Sequence, residues 1–328
     1  MTADIIHHSV DALGTRIHVA EMGEGPLVLF VHGFPESWFS WRHQLPAIAD
    51  AGYRAAAIDV RGYGRSAAPR SVDEYRMVRH VADNVGVVRA LGEETAVIVG
   101  HDWGSPIAWN TALLRPEVFT ALALLSVPYS PRGPIKPSDG FRILGGAEEF
   151  YIEYFQEPGR AEAEIDPNVA KWLMGFYHAA SGDAPRGDGR GSMAHVAPGG
   201  KVIDRLSWPD GFPDTGFPDW MTKEDFAVYV AEFERTGLTG GLNRYRNADR
   251  DWDDLAAWDG APIQQPSLFV GGEKDGPTMW GAGAISRFPT TMPNLHKSVV
   301  VPGSGHWVQQ EAAEAVNGEL IEFLQTLD

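Results

Sequence analysis

The strongest constraint on the fold of this chain is the stretch VIVGHDWG at residues 97–104. A short apolar run ends at Gly100, and a helical pattern begins just after Gly104, so a strand has to turn sharply into a helix. Such a turn requires small residues on either side and pushes its central side chain outward. Here the central residue is Asp102. An isolated Asp before a helix is usually only an N-cap, so any further role depends on other residues.

The first 127 residues alternate short apolar runs with helical patterns, which indicates a mostly parallel sheet with helices on both faces. The clearest helix carries apolar residues at steps of three and four from Met77 to Leu91. It stops at Gly92, where a C-cap glycine is expected. The predicted strands span residues 16–21, 27–31, 54–59, 95–100 and 121–126. The sequence therefore predicts an α/β core.

The sequence changes character between about residues 128 and 247. Aromatic-rich helical patches, EEFYIEYFQEPG and EDFAVYVAEFERTG, are separated by tracts rich in Gly and Pro such as SWPDGFPDTGFPDW. This pattern fits strands poorly and favours a helical insertion with long loops. Thr222 and Asp225 form a capping pair that predicts the start of the second helix.

An α/β pattern resumes after the insertion. PSLFVGG and KSVVVP predict two further buried strands. An amphipathic final helix is predicted from the apolar residues Val308, Val316, Leu320 and Leu324. The core is therefore split around the insertion. We expect residues 1–127 and 248–328 to form the core and residues 128–247 to form a helical cap, or lid.

Composition excludes several kinds of partner and site. The chain has 44 acidic against 27 basic residues and a formal net charge of -17, which would repel nucleic acid and anionic membrane surfaces. Cysteine is absent, so disulfides, thiolate metal sites and a cysteine nucleophile are excluded. The sequence contains neither a signal peptide nor an apolar run long enough to span a bilayer. We therefore expect a cytoplasmic protein with no nucleic-acid partner and no membrane insertion.

The HGFP motif at residues 32–35 predicts an oxyanion hole beside Asp102. It follows the predicted strand at 27–31, and the backbone N–H of Phe34 is placed to form half of the hole. The second N–H is expected from Trp103, the residue after the nucleophile position. Together these donors favour a catalytic role for Asp102 over a simple capping role.

A histidine and an acidic residue follow the last two predicted strands. VPGSGHW places His306 in a loop after the last strand, and GGEKD places Asp275 in a loop after the strand before it. The chain order nucleophile, acid, histidine is that of α/β-hydrolase triads. We predict Asp102 as the nucleophile, His306 as the general base and Asp275 as the acid that orients His306. Glu273, two residues from Asp275, is an alternative acid.

Seven motifs run in order along nearly the whole chain: HGFPESWFSWRHQ, DVRGYGRS, GHDWGS, YIEYFQEPG, NRYRN, GGEKD and GHW. In these motifs the chain resembles the epoxide hydrolase branch of the α/β-hydrolase fold family. The resemblance implies an α/β-hydrolase fold, with a mostly parallel sheet, helices on both faces and an inserted helical lid. It is closest to the bacterial type without the N-terminal phosphatase domain of mammalian soluble members, so that second activity is not carried over.

An aspartate at the turn indicates the kind of carbon that is attacked. Serine suits attack on a carbonyl, whereas on a saturated carbon it would leave an ether with no carbonyl for water to attack. A carboxylate instead leaves an ester, which His306 and Asp275 can hydrolyse while the oxyanion hole holds the tetrahedral intermediate. A carboxylate is also ionised at neutral pH, so it needs no base for the first step.

The leaving group distinguishes an epoxide hydrolase from a haloalkane dehalogenase. A halide leaves without a proton, whereas an epoxide oxygen leaves as a basic alkoxide to which a phenol can donate. The resemblance points to Tyr151 of YIEYFQ and Tyr245 of NRYRN as the donors, with Tyr154 as the main competitor. Phe34 stands in the HGxP position where a dehalogenase favours Asn, which weakens that alternative, while Trp103 fits both families.

We therefore predict that the protein uses water to convert an apolar epoxide to a vicinal diol through an ester on Asp102, without a cofactor or metal. The GxGxxA match at residues 62–67 is not a dinucleotide site, because a polar stretch follows it instead of a helix. We expect Phe34, Trp103 and Tyr154 to line the substrate pocket. A haloalkane dehalogenase is the alternative, and a non-catalytic small-molecule receptor is a second one. The oligomeric state stays open, a homodimer being among the assemblies that the sequence allows.

Overall fold

The structure, a computed structural model, describes residues 4–185 and 193–327 and contains one large, mostly parallel β-sheet. The strands are β1 (Ile6–Ala12), β2 (Thr15–Met22), β3 (Leu27–Val31), β4 (Arg54–Ile58), β5 (Ala96–His101), β6 (Phe119–Leu125), β7 (Glu149–Phe150), β8 (His195–Val196), β9 (Ser267–Gly272) and β10 (Leu295–Val301). The large sheet has the order β1-β2-β4-β3-β5-β6-β9-β10, and β7 pairs with β8 separately. The pairs β1/β2 and β2/β4 are antiparallel, and the pairings from β4 to β10 are parallel.

Helices flank the large sheet, and further helices lie in the segment between β6 and β9. The α-helices are α1 (Gln44–Asp50), α2 (Met77–Ala90), α3 (Gly104–Leu114), α4 (Pro137–Gly145), α5 (Tyr151–Tyr154), α6 (Arg160–Ile165), α7 (Val169–Ala180), α8 (Lys223–Thr236), α9 (Thr239–Tyr245), α10 (Ala248–Asp254), α11 (Gly276–Trp280), α12 (Ala282–Ile285), α13 (Phe288–Thr291), α14 (Val308–Glu311) and α15 (Ala313–Gln325). Short 3-10 helices span Trp38–Trp41, Val72–Tyr75, Asp166–Asn168, Val202–Arg205 and Ala256–Trp258.

The central strand β3 shows why the sheet is covered on both faces. All five of its residues are buried, and successive side chains point to opposite sides of the sheet. Leu29 belongs to the same apolar cluster as Val85 of α2, whereas Phe30 belongs to the cluster that contains Leu320 of α15. The continuous apolar run of β3 therefore reflects two cores, one on each face.

The predicted strands of the first half of the chain are confirmed, with ends that differ by at most two residues. The helix that begins at Met77 is also confirmed, and Gly92 just beyond it has a φ of 84°, as a C-cap glycine requires. Thr222 is the N-cap of α8. Its hydroxyl accepts from the N–H of Asp225, and the Asp225 carboxylate accepts from the N–H of Thr222, each at 3.0 Å.

Two predictions for the end of the chain were wrong. The strand in KSVVVP is not buried: β10 lies at the edge of the sheet, and alternate residues such as Val300 are exposed. Val308 is not part of the final helix but belongs to the separate short helix α14, which ends before α15 begins. Only the apolar residues of α15 itself, such as Val316 and Leu320, follow the predicted helical face.

The parallel strands bring several loops to one edge of the sheet. Because β3, β5, β6, β9 and β10 run in the same direction, the segments that follow them meet at their carboxyl ends. In the chain, helices α4 to α10 lie between β6 and β9. Within the described ranges, no helix is long and apolar enough to cross a membrane.

Candidate active site

The turn between β5 and α3 places Asp102 at this edge in a rarely adopted backbone conformation. Asp102 has a φ of 49°, in the left-handed region that favours glycine. Close packing requires both flanking glycines: a Cβ on Gly100 would lie 2.1 Å from the carbonyl oxygen of Gly104, and one on Gly104 would lie 1.9 Å from that of Val31. Trp103, rather than Asp102, is the N-cap residue of α3. The carboxylate of Asp102 therefore faces a cavity instead of capping the helix.

Two groups lie against the carboxylate of Asp102. The backbone N–H of Phe34 donates to Oδ1 at 2.8 Å, and Nε2 of His306 lies 3.4 Å from Oδ2. The approach of the Phe34 loop depends on Gly33, because a Cβ there would lie 2.4 Å from the Cβ of Asp102. The N–H of Phe34 thus points at the carboxyl group that would become an ester if Asp102 were the nucleophile.

His306 is held by Asp275 on the side of the ring away from Asp102. Nδ1 of His306 lies 2.9 Å from Oδ1 of Asp275. Asp275 is fully buried and is the N-cap of α11, where it accepts from the N–H of Thr278 at 3.2 Å. Glu273, the alternative acid, is exposed and accepts from the N–H of Gly303 at 2.8 Å. The structure therefore brings Asp275, and not Glu273, to His306.

The two carboxylates beside His306 control its protonation. Burial lowers the pKa of His306, but Asp275 and Asp102 outweigh burial and raise that pKa well above its ordinary value. The imidazole is therefore protonated at neutral pH in the free protein. Esterification would remove the charge of Asp102 and with it part of this rise, so the pKa of His306 would be lower in an ester state than in the free protein.

Ser126 is a site residue that sequence analysis missed. Its hydroxyl donates to Oδ2 of Asp275 at 2.7 Å and lies 3.0 Å from Nδ1 of His306. The residue directly follows β6, which lies between β5 and β9 in the sheet. That position is the signal that could have identified it, because polar residues after parallel strands gather at the same edge.

Glu36 and His101 form a buried polar pair that connects two loops of the site. Nδ1 of His101 lies 2.7 Å from Oε2 of Glu36, and Nε2 of His101 lies 2.7 Å from the backbone oxygen of His306. Glu36 also accepts from the N–H of Gly33 at 2.9 Å. Burial alone would raise the pKa of Glu36, but the neighbouring His101 outweighs burial and lowers that pKa to about 2. Glu36 is therefore an anion that ties the Gly33 loop to the His306 loop.

Tyr151 and Tyr245 line the same cavity as Asp102 and His306, with their ring centroids 6.2 Å apart. Burial, followed by the charge of Asp102, raises the pKa of Tyr151, while a hydrogen bond with Tyr245 partly offsets the rise. The pKa of Tyr245 is raised by burial first, and then by Tyr151 and Asp102. Both phenols therefore stay protonated at neutral pH and each has a proton to donate.

The cavity has a volume of about 720 Å³, which is in the range of small-molecule sites. Its wall includes Phe34, Asp102, Tyr151, Phe176, Tyr245 and His306. Phe34 borders this cavity, and its backbone N–H donates to Asp102.

Tyr154 does not lie where the sequence suggests. It is absent from the residues that line the cavity, and its hydroxyl donates to Oε2 of Glu164 at 2.8 Å. The guanidinium of Arg160 stacks on the other side, 4.0 Å from the centroid of the ring. Because Glu164 offers a buried acceptor within the helical insertion, the phenol of Tyr154 is satisfied there and turns away from Asp102.

The side chain of Trp103 also lies away from the expected substrate pocket. It lines a second cavity, of about 280 Å³. The ring packs edge-on against Tyr245 with centroids 5.0 Å apart, and the guanidinium of Arg244 lies 5.0 Å from its centroid. Trp103 therefore belongs to the wall between the two cavities. Its backbone N–H lies at the amino-terminal end of α3, where helix N–H groups lack partners within the helix.

Known proteins resemble this chain over nearly its full length. A family model for the alpha/beta hydrolase fold matches residues 26–313. Epoxide hydrolase A of Mycobacterium tuberculosis is 43% identical over 322 residues, a match that covers 97% of this chain and 97% of that protein. Among solved structures, an epoxide hydrolase from an endophytic Streptomyces is 60% identical, with a TM-score of 0.94 and coverage of 98% of this chain and 96% of the other. Epoxide hydrolase A from Mycobacterium thermoresistibile is 42% identical, with a TM-score of 0.90 and coverage of 98% of both chains. The chain therefore belongs to the α/β-hydrolase fold family, in the group that includes these epoxide hydrolases.

Proposed function

We propose that this protein hydrolyses epoxides to vicinal diols through a covalent ester on Asp102. The observation that carries the proposal is one cavity bordered by this carboxylate, by His306 with its partner Asp275, and by two protonated phenols. Relatives that are named epoxide hydrolases support it at 43% and 60% identity.

Ring opening requires a nucleophile and a proton donor at the same epoxide. The Asp102 oxygen that is not held by Phe34 attacks a ring carbon, and the C–O bond to that carbon breaks. The leaving oxygen takes a proton from Tyr151 or Tyr245, whose raised pKa values keep them protonated until an alkoxide forms. The proton on His306 then neutralises the resulting tyrosinate, which leaves the imidazole as a neutral base.

Ester hydrolysis uses the other half of the site. Neutral His306 removes a proton from water, and the resulting hydroxide attacks the carbonyl carbon of the Asp102 ester. The oxyanion is stabilised by the backbone N–H of Phe34 and, in this proposal, by that of Trp103. Collapse expels the diol oxygen, which takes up the proton of the new carboxylic acid, while His306 keeps the proton from water. Epoxide and water are thus converted to diol with every proton accounted for.

The same cavity supports the alternatives less well. A dehalogenase needs side-chain N–H donors aimed at a halide, but the side chain of Trp103 lines the second cavity and the side chain of Phe34 has no N–H. A receptor without catalysis would need neither a protonated His306 nor a buried acid beside it. Two phenols in the same cavity as a carboxylate favour an oxygen leaving group.

Residues 128–247 are proposed to act as the lid, because they carry Tyr151, Phe176 and Tyr245 to the cavity. The apolar wall favours an apolar epoxide as the substrate. Subcellular fractionation and sedimentation would test the further proposals of a cytoplasmic location and of association as a homodimer.

A single-turnover experiment in heavy-oxygen water tests the covalent scheme. With enzyme in excess over styrene oxide, the first diol should carry unlabelled oxygen, because its new oxygen comes from the carboxylate of Asp102. The label should enter that carboxylate and appear in the diol only in later turnovers. Label in the first diol would mean direct attack by water and would contradict the proposal.

A further inference from the structure

We propose that Ser126 is the positioning residue of the hydrolysis step: it fixes the plane of the His306 ring and holds the proton on Nδ1, so that Nε2 is free to activate water. The inference deepens the proposed function and rests on it, because it concerns only the breakdown of the Asp102 ester.

The backbone holds Ser126 firmly between neighbouring strands and helices. Its N–H donates to the backbone oxygen of Val270 in β9 at 2.9 Å, and its own carbonyl oxygen accepts from the hydroxyl of Thr278 at 2.9 Å. The residue is fully buried and has a φ of 70°, in the region where glycine is the residue without steric cost. A serine at this position is therefore in a strained conformation, and its hydroxyl is what glycine would lack.

A count of protons assigns the direction of each hydrogen bond. The hydroxyl of Ser126 has one proton and donates it to Oδ2 of Asp275 at 2.7 Å. Its lone pairs then face Nδ1 of His306, 3.0 Å away, so Nδ1 has to be the donor. The Nδ1 proton is shared between the hydroxyl oxygen of Ser126 and Oδ1 of Asp275, which lies at 2.9 Å.

Two acceptors restrict the imidazole more than one acceptor can. With Asp275 alone, the ring of His306 could swing about a single hydrogen bond. In the tautomer with its proton on Nε2, the lone pair of Nδ1 would face oxygens of both Ser126 and Asp275. This is unfavourable unless the Ser126 hydroxyl breaks its hydrogen bond to Asp275 and donates to Nδ1 instead. Ser126 therefore favours the tautomer whose free Nε2 faces Asp102, the only tautomer that can accept a proton from water there.

Ser126→Gly tests the role of the hydroxyl without straining the backbone further. Thr278→Val is the matched control, because the single proton of the Thr278 hydroxyl is shared between Oδ2 of Asp275, at 2.7 Å, and the backbone oxygen of Ser126, at 2.9 Å, rather than directed at the imidazole of His306. In single turnovers with styrene oxide, rapid quenching and mass spectrometry of the Asp102 peptide would measure the formation and decay of the ester separately. Circular dichroism and thermal unfolding would establish that each variant is folded.

Ester formation in Ser126→Gly should stay within about twofold of the wild-type rate, because Asp102 and the tyrosines are unchanged. Ester decay should slow by about tenfold, as expected for the loss of one hydrogen bond to a ring that becomes charged as it takes a proton from water, so the ester accumulates. Thr278→Val should slow decay clearly less. Ser126→Ala, which lacks the hydroxyl but keeps the backbone strain, should match the glycine variant and serves in its place if that variant fails to fold.

Wild-type ester decay in the glycine or alanine variant would overturn the inference. Equal slowing in Thr278→Val would also overturn it, because Ser126 would then act through Asp275 alone. A uniform loss of ester formation and decay would indicate a merely structural role and would reject it as well. If the wild-type enzyme itself forms no ester, the proposed function fails, and this inference fails with it.

Discussion

Nε2 of His306 lies 3.4 Å from Oδ2 of Asp102. This distance is longer than a typical hydrogen bond of about 2.7–3.2 Å, but it is short enough for strong attraction between opposite charges. This separation suits two residues that act in turn. While Asp102 is an anion, it helps to keep His306 protonated. In the proposed mechanism Asp102 is then esterified, that attraction is lost, and His306 becomes available as a base at the carbonyl carbon of the ester.

His306→Gln should therefore separate the two steps. Glutamine fills a similar space but cannot remove a proton from water, so ring opening should continue while turnover falls by about 10²–10⁴-fold. Mass spectrometry of the peptide that contains Asp102 should then find the mass of the added epoxide. If the variant binds styrene oxide but its peptide stays unmodified, Asp102 is not the nucleophile.

In the proposed mechanism Tyr151 and Tyr245 act before the ester exists, so their variants should affect ring opening. Tyr151→Phe and Tyr245→Phe should each slow ester formation by about tenfold or more, and the double variant should lose about 10³-fold, because no phenol is then left to donate. Stopped-flow fluorescence of the tryptophans would follow the step. Tyr154→Phe is the matched control, since that phenol donates to Glu164 instead of facing the cavity, and its ring-opening rate should match the wild type. Full activity in the double variant would remove both tyrosines from the mechanism.

The positions of Asp102, Asp275 and His306 could be predicted because local sequence determines them. Each follows an apolar strand pattern, and a parallel sheet gathers such positions at one edge. The glycines around Asp102 leave one way to make the turn, so its outward direction also follows from sequence. The choice between Glu273 and Asp275 could not be made in this way, because it depends on which carboxylate faces inward beneath His306.

Side-chain directions in the helical insertion depend on tertiary contacts that a single sequence does not display. Tyr154 turns away from the cavity because Glu164, on another helix, accepts from its hydroxyl. Trp103 faces the second cavity because Tyr245 and Arg244 pack against its ring. Ser126 is a further case. Its contacts with Asp275 and His306 depend on the approach of β9 and of the His306 loop, which lie far away along the chain.

Gly104→Ala should disrupt the turn between β5 and α3 itself, and not only the chemistry at Asp102. A Cβ at this position would lie 1.9 Å from the carbonyl oxygen of Val31, and backbone atoms cannot move aside as a flexible side chain can. We expect a loss of about 3 kcal/mol or more in the free energy of unfolding. Gly318→Ala is the control, because its Cβ would contact nothing within 4 Å and it lies inside α15. The free energy of unfolding of that variant, measured with a denaturant, should rise by about 0.5–1 kcal/mol. Equal stability of the two variants would contradict the steric account of the turn.

A buried carboxyl on α8 should make the stability of the protein depend on pH. Glu232 is 8% exposed, and Oε2 has no hydrogen-bond partner among the described residues. Burial first, and then the charge of Asp59, raise its pKa from 4.5 to about 7, although Ser37 donates to the carboxyl and Arg235 and Arg65 oppose the rise. The folded state binds the proton of the Glu232 carboxyl more tightly than the unfolded state does, so protonation stabilises the fold. This stabilising effect is complete below pH 4.5 and is lost as the pH rises through about 7.

Glu232→Gln should remove this dependence, because the amide stays neutral at every pH. Relative to the wild type, the variant should therefore gain stability between pH 4.5 and pH 8, by a few kcal/mol at most, since one pKa unit corresponds to about 1.4 kcal/mol. Urea unfolding of both proteins at pH 5 and pH 8 would give the difference in unfolding free energy between variant and wild type at each pH. Comparing this difference at the two pH values cancels the contribution of the other titrating groups. Glu234→Gln, on the exposed side of the same helix, is the matched control and should change little with pH. A constant gap between wild type and Glu232→Gln across this range would mean that Glu232 is ionised in the folded protein at pH 5, and that the Asp59 region tolerates a second negative charge.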